Sequence, residues 1–254
     1  MTGAAMVTGA TSGIGRALAL ELARRGFPLL LVARDGDRLR AVAAGAEAAG
    51  SPEVAIQPAD LTDKNGLHVV SERIADIDFL VNAAGCGTTR TFPDEDLAAE
   101  LAMLDLNVRS VLVLSHAAAR SMAERGHGRI LNVGSTAAVW SQGTYAGGKA
   151  WVHTTTAGMV SACADRGVTV TLLVPGFTRT EFHQRSATAT SGVRRWLWLA
   201  PEQVAREGVD AMLAGQAKCI PSRRYRVLVR IATSLSPGNR RRLLSHLASL
   251  KPVD

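Results

Sequence analysis

The chain has 254 residues, of which 47% are hydrophobic and 20% are charged, a composition that is typical of globular proteins and excludes a fibrous or disordered chain. The formal net charge is +7, but nine of the 29 lysines and arginines lie in residues 215–254 beside one acid, Asp254, so the first 214 residues are close to neutral. A basic patch that is confined to the tail, without an aromatic stacking motif, argues against nucleic-acid binding.

Short apolar segments alternate with helical patterns along the chain, which is typical of βαβ units and of a parallel sheet covered on both faces. We predict strands at residues 4–8, 28–33, 53–57, 77–82, 129–134, 168–174 and, less regularly, 217–221. One helix is predicted between the first strand and Gly26, and others are predicted at 35–49, 62–75, 97–125, 144–166 and 201–214. The order predicts one Rossmann-type, doubly wound α/β domain that comprises residues 1–254.

A glycine-rich segment, TGATSGIG, lies between the first strand and the following helix, where a phosphate-binding turn belongs. Gly9, Gly13 and Gly15 let the backbone turn sharply and approach a pyrophosphate, whose charge is favoured at a helix N-terminus. We expect Thr11, Ser12 and Ile14 to line the same turn. A glycine cluster alone is weak evidence, but its place after the first strand favours a dinucleotide site.

The end of the second strand indicates which nicotinamide cofactor is bound, because a carboxylate there binds the 2′-hydroxyl of NAD and a cation binds the 2′-phosphate of NADP. Here Arg34 follows the strand, and Arg16 lies near the glycine turn. A guanidinium pairs well with phosphate oxygens, so NADP(H) is favoured over NAD(H). In the alternative interpretation Arg34 is a solvated surface residue and Asp35 binds the ribose.

Two further loops follow predicted strands on the same side of the sheet. Asp60, beside Leu61, is placed to accept a hydrogen bond from an adenine amino group, or else to cap the next helix. The NAAG segment, with Asn82, Ala83 and Gly85, has small residues that permit close approach of a cofactor, although an ordinary loop would explain it equally well.

Tyr145 and Lys149 are four residues apart in TYAGGKA, so on a helix they share one face. A phenol with a pKa near ~10 is a poor base at neutral pH, but an adjacent ammonium favours the phenolate. Tyr145 can then exchange a proton with a substrate oxygen while hydride moves at the nicotinamide. The spacing by itself is common and indicates only a pair on a helix surface.

Two polar residues give this pair a chemical context. Ser135 ends a strand ten positions before Tyr145, where its hydroxyl can bond to a substrate carbonyl and stabilise oxyanion charge. Asn107 lies within a long predicted helix that it disfavours, and we expect it to hold a water or a carbonyl there, unless it is merely a surface asparagine.

Together these motifs resemble the short-chain dehydrogenase/reductase family over residues 4 to about 181. TGATSGIG is similar to the cofactor turn of the family, NAAG to its sheet-stabilising motif, and PGFTRT (175–180) to the segment that positions the nicotinamide carboxamide. The ordered set Asn107, Ser135, Tyr145 and Lys149 resembles its catalytic tetrad.

The resemblance implies an NAD(P)-dependent oxidoreductase that interconverts a ketone or aldehyde and its alcohol. By that likeness Tyr145 is the acid or base and Ser135 orients the substrate. Lys149 binds the nicotinamide ribose and lowers the pKa of Tyr145, Asn107 anchors a proton-relay water, and Thr180 holds the carboxamide. The same segment brings Pro175, Gly176 and Thr178 to the cofactor.

Two features depart from the family pattern. The interval from Ser135 to Tyr145 is a few residues shorter than usual, which leaves Thr136 as an alternative hydroxyl. Gly147 and Gly148 lie inside the catalytic helix, where each costs about 1 kcal/mol relative to alanine, a cost that close packing against another helix would justify. In the family this helix often lies at a subunit interface, so a homodimer or homotetramer is expected.

The C-terminal third of the chain is predicted to cover the active site and to form a tail. We interpret residues 181–200 as a substrate lid, in which Phe182, Trp196 and Trp198 either contact an apolar substrate or pack the lid onto the body. Residues 222–254 predict a basic amphipathic helical extension. Its two apolar faces comprise Leu228, Ile231, Ala232 and Leu235, and Leu243, Leu247 and Leu250. Docking on a partner subunit is favoured over peripheral contact with an anionic membrane.

The three cysteines, Cys86, Cys163 and Cys219, are odd in number and lack metal-ligand spacing, so neither a disulfide framework nor a zinc site is indicated. Without an apolar run of membrane-spanning length or a leader segment, a soluble cytoplasmic protein is expected. The expected function is NADP(H)-dependent turnover of an apolar carbonyl or alcohol substrate. The alternative is a cofactor-binding sensor or scaffold, a class that usually loses the tyrosine or the lysine retained here.

Overall fold

A seven-stranded parallel sheet forms the centre of the computed structural model, which describes residues 3–90, 92–140, 143–182, 193–236 and 238–239. The strands are β1 (Ala5–Thr8), β2 (Leu29–Ala33), β3 (Val54–Pro58), β4 (Phe79–Asn82), β5 (Gly128–Val133), β6 (Val168–Leu173) and β7 (Lys218–Cys219). Their order in the sheet is β3-β2-β1-β4-β5-β6-β7. The prediction of a Rossmann-type α/β fold is therefore confirmed, and each strand begins and ends within two residues of its predicted position.

Helices cover both faces of the sheet. They are α1 (Gly13–Arg24), α2 (Gly36–Ala49), α3 (Lys64–Glu72), α4 (Leu97–Leu104), α5 (Ser110–Arg125), α6 (Ala137–Trp140), α7 (Thr144–Cys163), α8 (Pro201–Leu213) and α9 (Arg223–Ser234). The first face packs α1, α2, α8 and α9 around Leu18, and the second packs α3, α5 and α7 around Leu114. Both leucines are fully buried, and each such burial contributes about 1.5–3 kcal/mol.

The order of the strands places a crevice at the carboxyl ends of β1 and β4, because the chain leaves β1 in one direction and returns on its other side at β4. The two loops that follow these strands meet there. The Thr8 hydroxyl accepts hydrogen bonds from the N–H groups of Ala83 and Ala84, each at 3.1 Å. The glycine turn and the NAAG segment are thus joined into one wall.

The predicted helix at 97–125 is interrupted between α4 and α5 by a π-helical turn over Asp105–Arg109. In this turn the Ser110 N–H donates to the carbonyl of Asp105, five residues back. Such turns are rare and occur frequently at functional sites. Asn107 lies in the turn and is 1% exposed, so the interpretation of it as a surface asparagine is wrong.

A buried polar network ties the catalytic helix to the sheet. The Asn82 amide donates to the Ser115 hydroxyl at 3.0 Å and to the Asn132 side-chain oxygen at 2.9 Å. The Asn132 amide in turn donates to the Thr156 hydroxyl at 3.1 Å. Because buried polar groups are costly without partners, this network fixes β4 and β5 against α5 and α7.

Helix α9 docks on its own chain through a face that overlaps the predicted one. Ala232 is buried and Leu228 packs against the core, as predicted, but Ile231 is 44% exposed. Tyr225 and Val229 are buried in addition. The Tyr225 hydroxyl donates to the carbonyl of Leu197 at 2.7 Å and accepts from the Phe177 N–H at 3.0 Å, and these bonds orient the helix.

Among the described helices, none is long and apolar enough to cross a bilayer. Residues 183–192 of the predicted lid and 240–254 of the predicted tail, including Leu243, Leu247 and Leu250, lie outside the described residues.

Candidate active site

The glycine turn has the backbone geometry that its sequence predicts. Gly9 and Gly13 have φ angles of +68° and +53°, in the left-handed region that favours glycine. A Cβ atom on Gly15 would lie 2.3 Å from the carbonyl oxygen of Gly9, so no side chain fits there. A Cβ on Gly13 would lie 3.1 Å from Cβ of Thr180, so the PGFTRT segment lies directly against the turn, and both border the groove at the carboxyl ends of the strands.

Arg34 directly follows β2, and its side chain is 75% exposed. Its guanidinium is 3.6 Å from the Asp60 carboxylate. The alternative ligand for the ribose, Asp35, accepts hydrogen bonds from the N–H groups of Asp37 and Arg38 and thereby caps α2. Asp35 is thus engaged as a helix cap, whereas the Arg34 guanidinium pairs with Asp60 and is largely exposed.

Asp60 does not cap the following helix, because Asp63 takes that position and accepts from the Gly66 N–H at 2.9 Å. Instead, Asp60 accepts from the Thr62 N–H and hydroxyl at 2.9 and 2.7 Å. Burial alone would raise the pKa of Asp60, but the Thr62 hydrogen bonds and the Arg34 charge lower it, so the carboxylate stays ionised.

Several predicted cofactor residues contribute backbone rather than side chains to the groove. Leu61 and Thr178 are buried, and the Asn82 side chain belongs to the core network. Gly176 lies against the Tyr225 ring, where a Cβ would approach to 2.0 Å. The carbonyl of Pro175 accepts from the Thr136 N–H at 3.0 Å. The side chains of Leu61, Asn82 and Thr178 thus have partners within the protein.

Asn107 holds the backbone that follows NAAG. Its amide donates to the Cys86 carbonyl at 2.7 Å, and its side-chain oxygen accepts from the Cys86 N–H at 3.1 Å. Gly85 is required beside it, because a Cβ there would lie 2.8 Å from the Asn107 side-chain oxygen. The expectation that Asn107 holds a carbonyl is met, and the carbonyl is that of Cys86.

Ser135, Tyr145 and Lys149 come together where β5 ends. The Ser135 hydroxyl accepts from the Ala137 N–H at 3.1 Å and lies beside the Tyr145 phenol, whose pKa it lowers. Lys149 is 5% exposed, and its Nζ donates to the Val133 carbonyl at 2.9 Å, 5.9 Å from the centre of the Tyr145 ring. Thr136 is buried, and the structure gives it no comparable contact with Tyr145 among the described bonds. Ser135 is therefore the hydroxyl that lies beside the phenol.

The electrostatics of this cluster differ from the expected lowering of the Tyr145 pKa. Tyr145 keeps some accessible surface, but desolvation of its hydroxyl raises the pKa to about 12, although the Ser135 hydrogen bond acts in the opposite direction. Burial likewise lowers the pKa of Lys149 to about 8. The prediction overlooked that the low-polarity surroundings of a buried pair disfavour both charged forms.

The described aromatic residues near the site have two different roles. Phe182 lies 5.5 Å from Tyr145 between ring centres, so it borders the place where the phenol acts. Trp198 lies 5.7 Å from Phe177 and packs onto the body, while Trp196 is 40% exposed.

Sequence reasoning missed Arg38, which connects the glycine turn to Glu181. Its guanidinium donates to the Thr11 carbonyl at 3.3 Å and to the Glu181 carboxylate at 3.1 Å. The sequence signal that could have identified Arg38 is its position in the first turn of the helix that follows Arg34. Only the fold brings Glu181 to it.

The two glycines inside α7, Gly147 and Gly148, differ in their surroundings. A Cβ on Gly148 would lie 3.4 Å from Val108, so this glycine allows α7 to pack closely on the π-helical turn. A Cβ on Gly147 would meet nothing within 4 Å. Close packing within the chain therefore explains Gly148 and leaves Gly147 unexplained.

Comparison with known proteins gives a consistent result. The family profile described as short chain dehydrogenase matches residues 3–191. An uncharacterized oxidoreductase of Staphylococcus saprophyticus is 33% identical, over 82% of this chain and 90% of the relative. The solved short-chain dehydrogenase from Sphingobium yanoikuyae in complex with NADPH is 27% identical with a TM-score of 0.84, and 99% of each chain is covered.

A second solved structure, the bulky-bulky ketone specific alcohol dehydrogenase from Comamonas testosteroni, is 25% identical with a TM-score of 0.78, over 91% of this chain and 92% of that one. The predicted family is confirmed, and with it the prediction of a nicotinamide-dependent enzyme. The chain belongs to the short-chain dehydrogenase family of NAD(P)-dependent oxidoreductases.

Proposed function

We propose that the protein is an NADP(H)-dependent oxidoreductase that interconverts an apolar ketone or aldehyde and its alcohol, with Tyr145 as the general acid or base. The observation that carries this proposal is the cluster at the end of β5, where the buried Lys149 lies 5.9 Å from the Tyr145 ring and the Ser135 hydroxyl lies beside the phenol and lowers its pKa. A hydroxyl and a phenol side by side can both reach one carbonyl oxygen. Phe182 next to Tyr145 supports an apolar substrate.

The residues around the groove fit a dinucleotide. Gly9, Gly13 and Gly15 leave room for a pyrophosphate at the N-terminus of α1, and Thr180 lies against this turn. The exposed Arg34 guanidinium supports a 2′-phosphate and hence NADP(H). When bound, the nicotinamide supplies or accepts the hydride.

The pKa of Tyr145 near 12 keeps the phenol protonated at neutral pH, which is the form that donates a proton to a carbonyl oxygen. In the reductive direction Tyr145 therefore acts as the acid. Ser135 holds the same oxygen and stabilises the negative charge that develops on it. Lys149, with a pKa near 8, lies close enough to favour the phenolate that remains.

The proposed function is tested with ketones and aldehydes of graded chain length and ring number, incubated with the protein and NADPH. We expect the absorbance of NADPH to fall with bulky apolar ketones and to change little with small polar ones, because Phe182 offers an apolar contact at the site. If NADPH binds but no substrate is turned over, the protein is instead a cofactor-binding sensor or scaffold.

We further propose a homodimer or homotetramer in which a second copy covers the outer face of α5 and α7. Leu112 is 47% exposed on α5, and Gly147 has open space around it on α7. An exposed apolar side chain on one helix and an unobstructed backbone on the other suit close helix packing between copies. Sedimentation of the wild type should give a mass above that of a monomer, and Leu112→Glu should lower it; a monomeric wild type contradicts this proposal.

A reducing compartment such as the cytoplasm is proposed from the cysteines. Cys86, Cys163 and Cys219 are free thiols in the structure. Burial raises the pKa of Cys219 to about 11, which keeps this thiol protonated and unreactive. Fractionation of the native cells would place the protein, and recovery from an oxidising compartment would contradict the proposal.

A further inference from the structure

His153 lies on the active-site face of α7, four residues after Lys149 and eight after Tyr145. Its imidazole Nε2 accepts a hydrogen bond from the backbone N–H of Ser135 at 3.3 Å. The proton and hydride chemistry described above makes no use of this side chain. His153 therefore contacts the segment that carries the Ser135 hydroxyl, without touching the reacting atoms.

The backbone N–H of Ser135 needs an acceptor from outside the sheet, as the bonds of the neighbouring N–H groups show. The Gly134 N–H donates to the Leu173 carbonyl at 2.8 Å, and the Thr136 N–H donates to the Pro175 carbonyl at 3.0 Å. Because these neighbours both bond to the β6 side and successive N–H groups of an extended chain point in opposite directions, the Ser135 N–H points away from β6. Strand β4 has already ended at Asn82. The imidazole of His153 satisfies this donor.

The imidazole is also held by packing. A Cβ on Gly134 would lie 2.5 Å from Nε2 and 2.7 Å from Cδ2 of His153, and 3.1 Å from Cδ1 of Leu172. The ring thus lies directly on the backbone of Gly134, and only a glycine leaves it this room. The hydrogen bond and the packing together fix the end of β5 against α7.

Only a neutral imidazole can accept a hydrogen bond at Nε2, since protonation makes both ring nitrogens donors. Burial, followed by the positive charges of Lys218 on β7 and Lys149 on α7, lowers the pKa of His153 to about 4. The ring therefore remains an acceptor throughout the neutral pH range.

We propose that His153 is a positioning residue, whose neutral ring holds the Ser135 backbone so that the Ser135 hydroxyl meets Tyr145. The proposal rests on the proposed function, in which Ser135 orients the carbonyl.

The first test compares His153→Leu with His153→Gln, both alone and in a Ser135→Ala background. We expect His153→Leu to lower kcat about tenfold while the NADPH dissociation constant is unchanged. His153→Gln should restore most of the activity, because its amide oxygen can accept near the position of Nε2. In the Ser135→Ala background His153→Leu should have no further effect, since residues that act through one another are not additive. Thermal unfolding checks that each variant is folded.

Two kinetic results would overturn the proposal. One is a decrease in kcat on His153→Leu that is equally large with and without the Ser135 hydroxyl. The other is a kcat of His153→Gln as low as that of His153→Leu. Either result would mean that His153 acts on the fold as a whole rather than through Ser135.

A second measurement does not depend on activity. The ring nitrogen shifts of His153, assigned by comparison with His153→Gln, should show a neutral ring with its proton on Nδ1 that titrates near pH 4. A ring that titrates near ~6.5, as a solvated histidine does, would overturn the inference. If the shifts are as expected but the wild type turns over no substrate, the proposed function fails and the contact stands.

Discussion

Tyr145→Phe should lower kcat at least about a thousandfold while the dissociation constant for NADPH stays within about twofold, because the substitution removes one proton donor and no part of the cofactor turn. The Tyr145 hydroxyl lies beside Ser135, and the Tyr145 ring packs against Phe182 with 5.5 Å between ring centres. A phenylalanine ring keeps that packing. The loss therefore reports on the hydroxyl alone, measured as NADPH oxidation with saturating ketone and as NADPH fluorescence in a titration.

Tyr225→Phe is the matched control, because Tyr225 is the other of the two tyrosines and its pKa is also raised to about 12 by burial. Its hydroxyl bonds to Leu197 and Phe177 to dock α9, so its loss should lower the free energy of unfolding by about 1–3 kcal/mol. Under conditions in which this variant is folded, turnover should persist. Full activity of Tyr145→Phe would refute the assignment of the acid.

Arg34→Glu should weaken NADPH binding at least about a hundredfold and leave NADH binding nearly unchanged. A hydrogen bond between charged groups contributes about 1.5–3 kcal/mol, and the new carboxylate adds repulsion toward a 2′-phosphate. The exposed position of Arg34 means that the substitution disturbs little of the fold. Titration of the wild type and the variant with each nucleotide, followed by fluorescence, measures the four dissociation constants.

Arg40→Glu controls for the general change in charge, because Arg40 is another exposed arginine, on α2, and pairs with Asp37. This variant should retain the NADPH preference of the wild type. A wild type that prefers NADH, or an Arg40→Glu variant that loses as much affinity as Arg34→Glu, would remove Arg34 from the proposed 2′-phosphate site.

Much of the fold could be predicted because the pattern of apolar residues indicates which segments are buried. A parallel strand covered on both faces must be apolar along its whole length, and β1 and β2 are buried almost throughout. The glycine turn was equally accessible, since Gly9 and Gly13 occupy backbone conformations that other residues rarely adopt. The π-helical turn was not predicted, because both flanking segments are helical and no residue type marks the turn itself.

Sequence by itself determined the fold class and the family, since the apolar pattern and the order of glycine turn, Ser135 and the Tyr145–Lys149 pair can be read from residue type and spacing. Only the tertiary structure decided how they meet: that His153 bonds to Ser135, that Arg38 reaches Glu181, and that burial raises rather than lowers the pKa of Tyr145. Contacts between residues far apart in the chain, and the loss of water around a hydroxyl, depend on packing of several elements at once. A linear pattern records neither.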